Sequence, residues 1–231
     1  MEKQRKQAKR RSKRTAKTHK AAEQEKPARV SPNRGKKFPA EILTGSEVKG
    51  LIRHCSSRCP SGIRNIALLS VMYGTGLRVS EALALYPKDV DADAHSIRVL
   101  HGKGNKARTV GIDDGTLAKL QRWIDHRKDL KINGRHTLFC TLAGKVLSAD
   151  YMRQLLPRLA AKAGIEKRVH PHILRHTHAS QLSAEGVSVG VISRQLGHSS
   201  IATTARYLDH ISPQEVIDAI KKRNPWTREA G

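Results

Sequence analysis

The 231-residue chain has room for one domain with a sizeable core and is too short for two large ones. Its 44 Lys and Arg against 20 Asp and Glu give a formal net charge of +24, which makes a polyanion, nucleic acid by default, the expected partner. No apolar run approaches the roughly 18 residues of a membrane span, so a soluble protein with no membrane partner is expected.

The first 37 residues hold 15 Lys or Arg and three Glu, half of the net charge, with almost nothing apolar beside them. Such a segment cannot bury enough surface to offset the entropy of ordering. Residues 1–37 are therefore expected to form a disordered basic arm ahead of one ordered domain, 38–231. An Arg-rich, acid-poor transit peptide is the other reading, but the Lys/Arg blocks lack a sustained apolar face.

From Phe38 the texture changes. In "TGSEVKGLIRHC" Thr44 stands three residues before Glu47, a capping-box spacing, and Val48, Leu51 and Ile52 fall on one helical face. Cys55 and Cys59 lie four apart on this predicted helix, but no second pair completes a metal site. Together with Cys140 they make three cysteines without a Cys-x-x-Cys pair or a signal peptide, which suits a reducing cytoplasm. "IRNIALLSVMYGTGLRVSEALAL" reads as a buried helix, a break at Gly74-Thr75-Gly76, and a short helix that Arg78 opens.

"HSIRVLHGKGNKARTVGID" carries β-branched runs, Ile97 to Leu100 and Thr109 to Ile112, around a Gly/Lys/Asn turn, and predicts a hairpin. Helical patterns follow at 114–129 and 148–163, then in three pieces between 172 and 208. A last helix opens at "SPQE", with Ser212 as N-cap, Pro213 at the first position and Glu215 completing the cap. The predicted class is α+β, mainly α, with one small antiparallel sheet and no internal repeat.

Four separated stretches place basic and protic side chains at turns and helix starts: Arg78 in "GTGLRVSEAL", Lys103 in "GKGNKAR", His172 and Arg175 in "HPHILRHTH", and His198 and Tyr207 in "LGHSSIATTARY". His170, His172, His176 and His178 suggest a metal, and His172 with His176 makes an i, i+4 pair. No acidic residue lies between that pair, and Arg175 would set a cation beside the ion. Phosphate suits the set better: two guanidinium forks can clamp non-bridging oxygens, a lysine can protonate a leaving oxygen, and a tyrosine hydroxyl activated by cations or histidine can attack.

In order and spacing these motifs closely resemble the tyrosine recombinases, or phage integrase family, over residues 42–211. The resemblance implies a tyrosine recombinase catalytic fold and a DNA recombinase or integrase that needs neither metal nor ATP nor any other cofactor. It implies that Arg78 and Arg175 bind the scissile phosphate, that Lys103 is general acid to the leaving 5′ hydroxyl, and that His172 is its acid/base partner. It further implies that His198 seats the phosphate, and that Tyr207 attacks to leave a 3′-phosphotyrosyl enzyme. Lys103 rather than its neighbour Lys106 occupies the family position, and Glu81 either orients Arg78 or lies on plain helix surface.

Most members carry a helical core-binding domain of about 100 residues before the catalytic one, whereas here only the basic arm precedes Phe38. The chain so resembles catalytic-domain-only members, among them the fimbrial phase-switch recombinases, and its arm is expected to supply part of the grip on double-stranded DNA. Val216, Ile217 and Ile220 near the C-terminus could dock on a neighbouring protomer in a synaptic homotetramer, or pack on their own domain. Accessory DNA-bending proteins are possible further partners. The alternatives to a recombinase are a type IB topoisomerase-like nicking and resealing enzyme and a catalytically idle DNA-binding protein.

Overall fold

The computed structural model describes residues 41–100, 107–198 and 221. The basic arm, Lys103, Lys106, Tyr207 and the helix expected from Ser212 lie outside the described residues. Within them the order is α1 (Gly45–Arg53), α2 (Pro60–Thr75), α3 (Val79–Leu83), a 3-10 turn (Pro87–Asp89), β1 (Val90–Asp91), β2 (Ser96–Val99), β3 (Arg108–Gly111), α4 (Asp114–Asp129), α5 (Ala149–Lys162), α6 (Pro171–Ala184) and α7 (Val189–Leu196).

The expected capping box opens α1: Thr44 Oγ1 accepts from the Glu47 amide at 3.2 Å, and Glu47 Oε2 accepts from the Thr44 amide at 2.6 Å. Val48 and Leu51 are buried, and Ile52 is half-buried beside them. The helix stops at Arg53, so Cys55 lies beyond its end while Cys59 caps the start of α2. The two thiols therefore do not share a helix, contrary to the spacing argument, because Pro60 begins a new one.

Helix α2 is the spine of the core. It packs against α4 and α6, and its Leu68, Leu69 and Met72 are fully buried with Leu120 and Trp123 of α4. Trp123 Nε1 donates to the Leu138 carbonyl at 2.8 Å, so its one polar atom is satisfied in the interior. The break expected at three residues falls at one: α2 continues through Gly74 and Thr75 and ends at Gly76, with φ +67. Gly74 serves close packing instead, since a Cβ there would sit 2.3 Å from Thr116 Oγ1 and 2.8 Å from Asp113 Oδ2 at the start of α4.

The sheet is antiparallel in the order β1-β2-β3, and the hairpin register pairs Ile97 with Val110 and Val99 with Arg108. Ile97, Val99 and Val110 face the core. Two-residue β1 is an addition to the predicted hairpin; it is too short to show an alternation of its own. Among the described residues the fold is thus mainly helical with one small sheet, as the sequence pattern implied.

Candidate active site

Three chain reversals bring the predicted residues together. The first is the Gly76 turn. There the chain leaves α2 in a left-handed conformation, so that Arg78, in extended conformation, becomes the N-cap of α3. A Cβ on Gly76 would lie 2.6 Å from Leu196 Cδ2 and 2.7 Å from His178 Cδ2, which leaves glycine as the residue that fits. The second is the start of α6, where His170 is the N-cap and its Nδ1 accepts from the Ile173 amide at 3.2 Å. His170 is thereby engaged in capping the start of the helix, and His172 and Arg175 follow in its first turns. The third is Gly197, φ +66, which closes α7 and delivers His198.

Arg175 ties the first reversal to the third. Its guanidinium is buried, with Nη1 donating to the Gly76 carbonyl at 2.7 Å and Nη2 to the Leu196 carbonyl at 2.6 Å. Each carbonyl belongs to the residue next to a glycine turn or to the turn itself. Gln195 adds a second tie: its amide accepts from the Gly111 N–H at 2.9 Å and donates to the Gly111 carbonyl at 2.9 Å and the Thr75 carbonyl at 3.3 Å. Strand β3, the end of α2 and helix α7 are thus pinned to one another.

The electrostatics show the convergence. Partial desolvation lowers the pKa of His172, and the charges of Arg175 and Arg78 lower it further. Desolvation, Arg175, Arg78, His176 and Arg108 together bring His198 to about 4. Both arginines act on both imidazoles, so the four side chains lie within electrostatic reach of one another, and in the absence of an anion the imidazolium form of both rings is disfavoured. His172 and His176, one turn apart on α6, have ring centroids 6.5 Å apart.

Glu81 is not a surface residue. It is 3% exposed, and its carboxylate accepts from Arg78 Nη1 at 2.8 Å and the Arg78 amide at 2.9 Å. Arg108 adds a fork, Nη1 at 3.0 Å and Nη2 at 2.9 Å. Burial alone would raise the carboxyl pKa, but the Arg108 and Arg78 contacts outweigh it and hold it at about 2. Arg108 and Gln195 were not singled out by the sequence reading. The alternation of β3 was the available signal for Arg108, since it places Arg108 on the same face as Val110.

His178, the remaining member of the histidine cluster, packs its ring against the Gly76 turn. It lines a groove of about 590 Å³ with Ser70, Tyr73, Gly74 and residues of α1 and α4. Desolvation and Arg175 bring its pKa to about 4, opposed by Asp113. Among the described residues no group of three or more His, Cys, Asp or Glu is arranged to hold a metal ion, and no helix is long and apolar enough to cross a membrane.

Two arginines and two histidines at three interlocked turns are the kind of cationic, protic set that suits an anionic ligand. The model of the phage integrase family matches residues 41–213, and the chain belongs to that family. It is 33% identical over 211 residues to the tyrosine recombinase XerD of Bifidobacterium longum, covering 87% of this chain and 68% of the relative. It is 35% identical over 195 residues to the tyrosine recombinase XerC of Xanthomonas axonopodis pv. citri, covering 84% and 62%. Among solved structures it superposes on XerA recombinase with a TM-score of 0.69 at 32% identity, over 85% of this chain and 70% of that one. The chain spans between about half and two thirds of the length of the curated relatives it matches.

Proposed function

We propose that the protein is a site-specific DNA recombinase that cleaves and rejoins strands through a covalent phosphotyrosyl intermediate. The observation that carries the reading is the convergence of Arg78, Arg175, His172 and His198, held by the Arg175 bridges between Gly76 and Leu196. One relative, XerH, is 27% identical and superposes with a TM-score of 0.66 in a post-cleavage complex with its palindromic difH substrate.

In this reading Arg78 and Arg175 engage the non-bridging oxygens of the scissile phosphate, where negative charge builds up in the transition state. Tyr207 Oη attacks phosphorus, the bond from phosphorus to the 5′ oxygen breaks, and the phosphoryl group passes to the tyrosine. Lys103 gives a proton to the leaving 5′ oxygen. His172, neutral before DNA binds, accepts the tyrosine proton; an anion beside it then favours the imidazolium. His198 hydrogen-bonds the phosphate. A 5′ hydroxyl from a second strand attacks the phosphotyrosine and frees Tyr207, so the number of phosphodiester bonds is unchanged and no energy source is needed. Strand exchange would bring protomers together as a synaptic tetramer on DNA.

A duplex carrying the sequence that flanks the gene, nicked near the cleavage point so that the leaving fragment is lost, tests this. The full chain is expected to form a covalent adduct that Tyr207→Phe does not form. Exchange between two sites separates a recombinase from an enzyme that only relaxes one plasmid, and specific binding without adduct would leave a DNA-binding protein.

A further inference from the structure

We propose that Arg108 is a positioning residue of the phosphate clamp: by pairing with the buried Glu81 carboxylate it leaves the positive charge of Arg78 available to a phosphodiester. The inference rests on reading the site as a phosphodiester clamp. Glu81 orients Arg78 by accepting from both its guanidinium and its amide. Orientation by a carboxylate has a cost, because a closed ion pair has little field left for a second anion. The site resolves this conflict with a second cation.

Arg108 meets both oxygens of Glu81 in the fork geometry that guanidinium and carboxylate share, at 3.0 and 2.9 Å. Its side chain is 13% exposed and that of Arg78 is 22% exposed, so Arg108 is the more withdrawn of the two. Two cations around one anion leave a single net positive charge, and Arg78 is the member nearer solvent. Arg108 also reaches the third turn. Its Nε donates to the Gln195 carbonyl at 3.3 Å, and a Cβ on Gly197 would lie 2.7 Å from that same Nε. Its charge is among those that keep His198 neutral. One side chain therefore touches the partner of Arg78 and the turn that carries His198, without being one of the residues aimed at the phosphate.

A role in charge separates from a role in shape through a compensating substitution. The full chain, Arg108→Gln, Arg108→Lys and the double variant Glu81→Gln with Arg108→Gln are compared by thermal melting. Two functional readouts follow: the Kd for inorganic phosphate, from the imidazole NMR resonances, and single-turnover adduct formation on the nicked duplex. Arg108→Gln is expected to weaken phosphate binding at least about tenfold and slow the adduct by a similar factor. Arg108→Lys is expected to lose less.

The double variant keeps at position 81 an amide oxygen that can accept from Arg78 but no carboxylate to occupy its charge, and is expected to recover most of both losses. A folded double variant as impaired as Arg108→Gln overturns the proposal, as does unchanged phosphate affinity in Arg108→Gln. Should Arg108→Gln not fold, because a buried carboxylate has lost half its compensation, the double variant is set against the parent, and a large loss in it overturns the proposal. A parent that binds phosphate in the expected order of variants but forms no adduct would sink the recombinase reading and leave the role of Arg108 standing.

Discussion

Arg175 and Leu196 are joined by a 2.6 Å hydrogen bond from Nη2 to the carbonyl, and the same guanidinium reaches the Gly76 carbonyl at 2.7 Å. Two N–H groups of one planar fork thus fix the spacing between the turn before Arg78 and the turn before His198. Lysine carries the charge but cannot span two carbonyls in a fixed plane. Arg175→Lys is therefore expected to lower the cleavage rate on the order of 10²-fold or more. It should also destabilise the fold by about 1–3 kcal/mol, because a buried carbonyl is left without its donor. Single-turnover cleavage and urea unfolding check the two effects separately.

Gly197 and Gly164 both adopt a left-handed conformation, φ +66 and +65, but only Gly197 has a neighbour where a side chain would go. At Gly164 nothing lies within 4 Å, whereas at Gly197 a Cβ would fall 2.7–2.8 Å from the Arg108 guanidinium. Gly164→Ala is expected to cost about 1 kcal/mol through backbone strain alone. Gly197→Ala should cost more, by about 1–3 kcal/mol, and should also slow cleavage, since Arg108 cannot keep its contact with Glu81 when displaced. Equal melting temperatures for the two variants would show that the Arg108 contact carries no weight.

His178 predicts how stability responds to acid. Its folded pKa, about 4, lies below the ordinary 6.5 because burial and Arg175 oppose the imidazolium. Between these values the unfolded chain binds the proton and the folded chain does not, so stability falls as pH falls from 6.5 towards 4. The slope from this histidine approaches about 1.4 kcal/mol per pH unit in the middle of that window. Glu81 acts in a lower window, since a carboxyl held at about 2 against 4.5 contributes stability above 4.5 that is lost on the way down to 2. Urea unfolding from pH 7 to 3 should show the upper limb made shallower in His178→Leu, the rest coming from histidines such as His198 that titrate in the same window, and the lower limb retained.

The parts of the site that were legible in the sequence are local ones. Glycine turns, caps and a proline at a helix start act over three or four residues, so the placement of Arg78 as an N-cap and of α1 and α6 could be read directly. Gly74 shows the limit: as a glycine two residues before another it reads as part of a turn, yet it lies inside α2 and is a glycine because Asp113 and Thr116, some forty positions on, leave no room for a side chain. Arg108 and Gln195 show the same limit at the site. Their partners Glu81, Gly111 and Thr75 are distant in sequence, and neither residue is one that attacks or clamps a phosphate. Glu81 stood between, with a helix-capping role visible three residues from Arg78 and an ion pair to Arg108 that was not.

The charge of the first 37 residues predicts a salt effect. Fifteen Lys and Arg against three Glu give this segment +12 of the chain's +24, and phosphate neutralisation by such a segment releases counterions from DNA. Each phosphate neutralised adds roughly 0.9 to the slope of log affinity against log salt, so six to ten contacts would cost on the order of 10³–10⁵ in affinity between 50 and 200 mM. Deleting residues 1–36 should weaken binding at low salt and flatten the slope in proportion to the contacts removed. The adduct rate at saturating DNA should change little, because Arg78, Arg175, His172 and His198 are held by contacts among α2, β3, α6 and α7. Fluorescence anisotropy across a salt series measures the slope, and an unchanged slope in the deletion would remove the segment from the DNA interface.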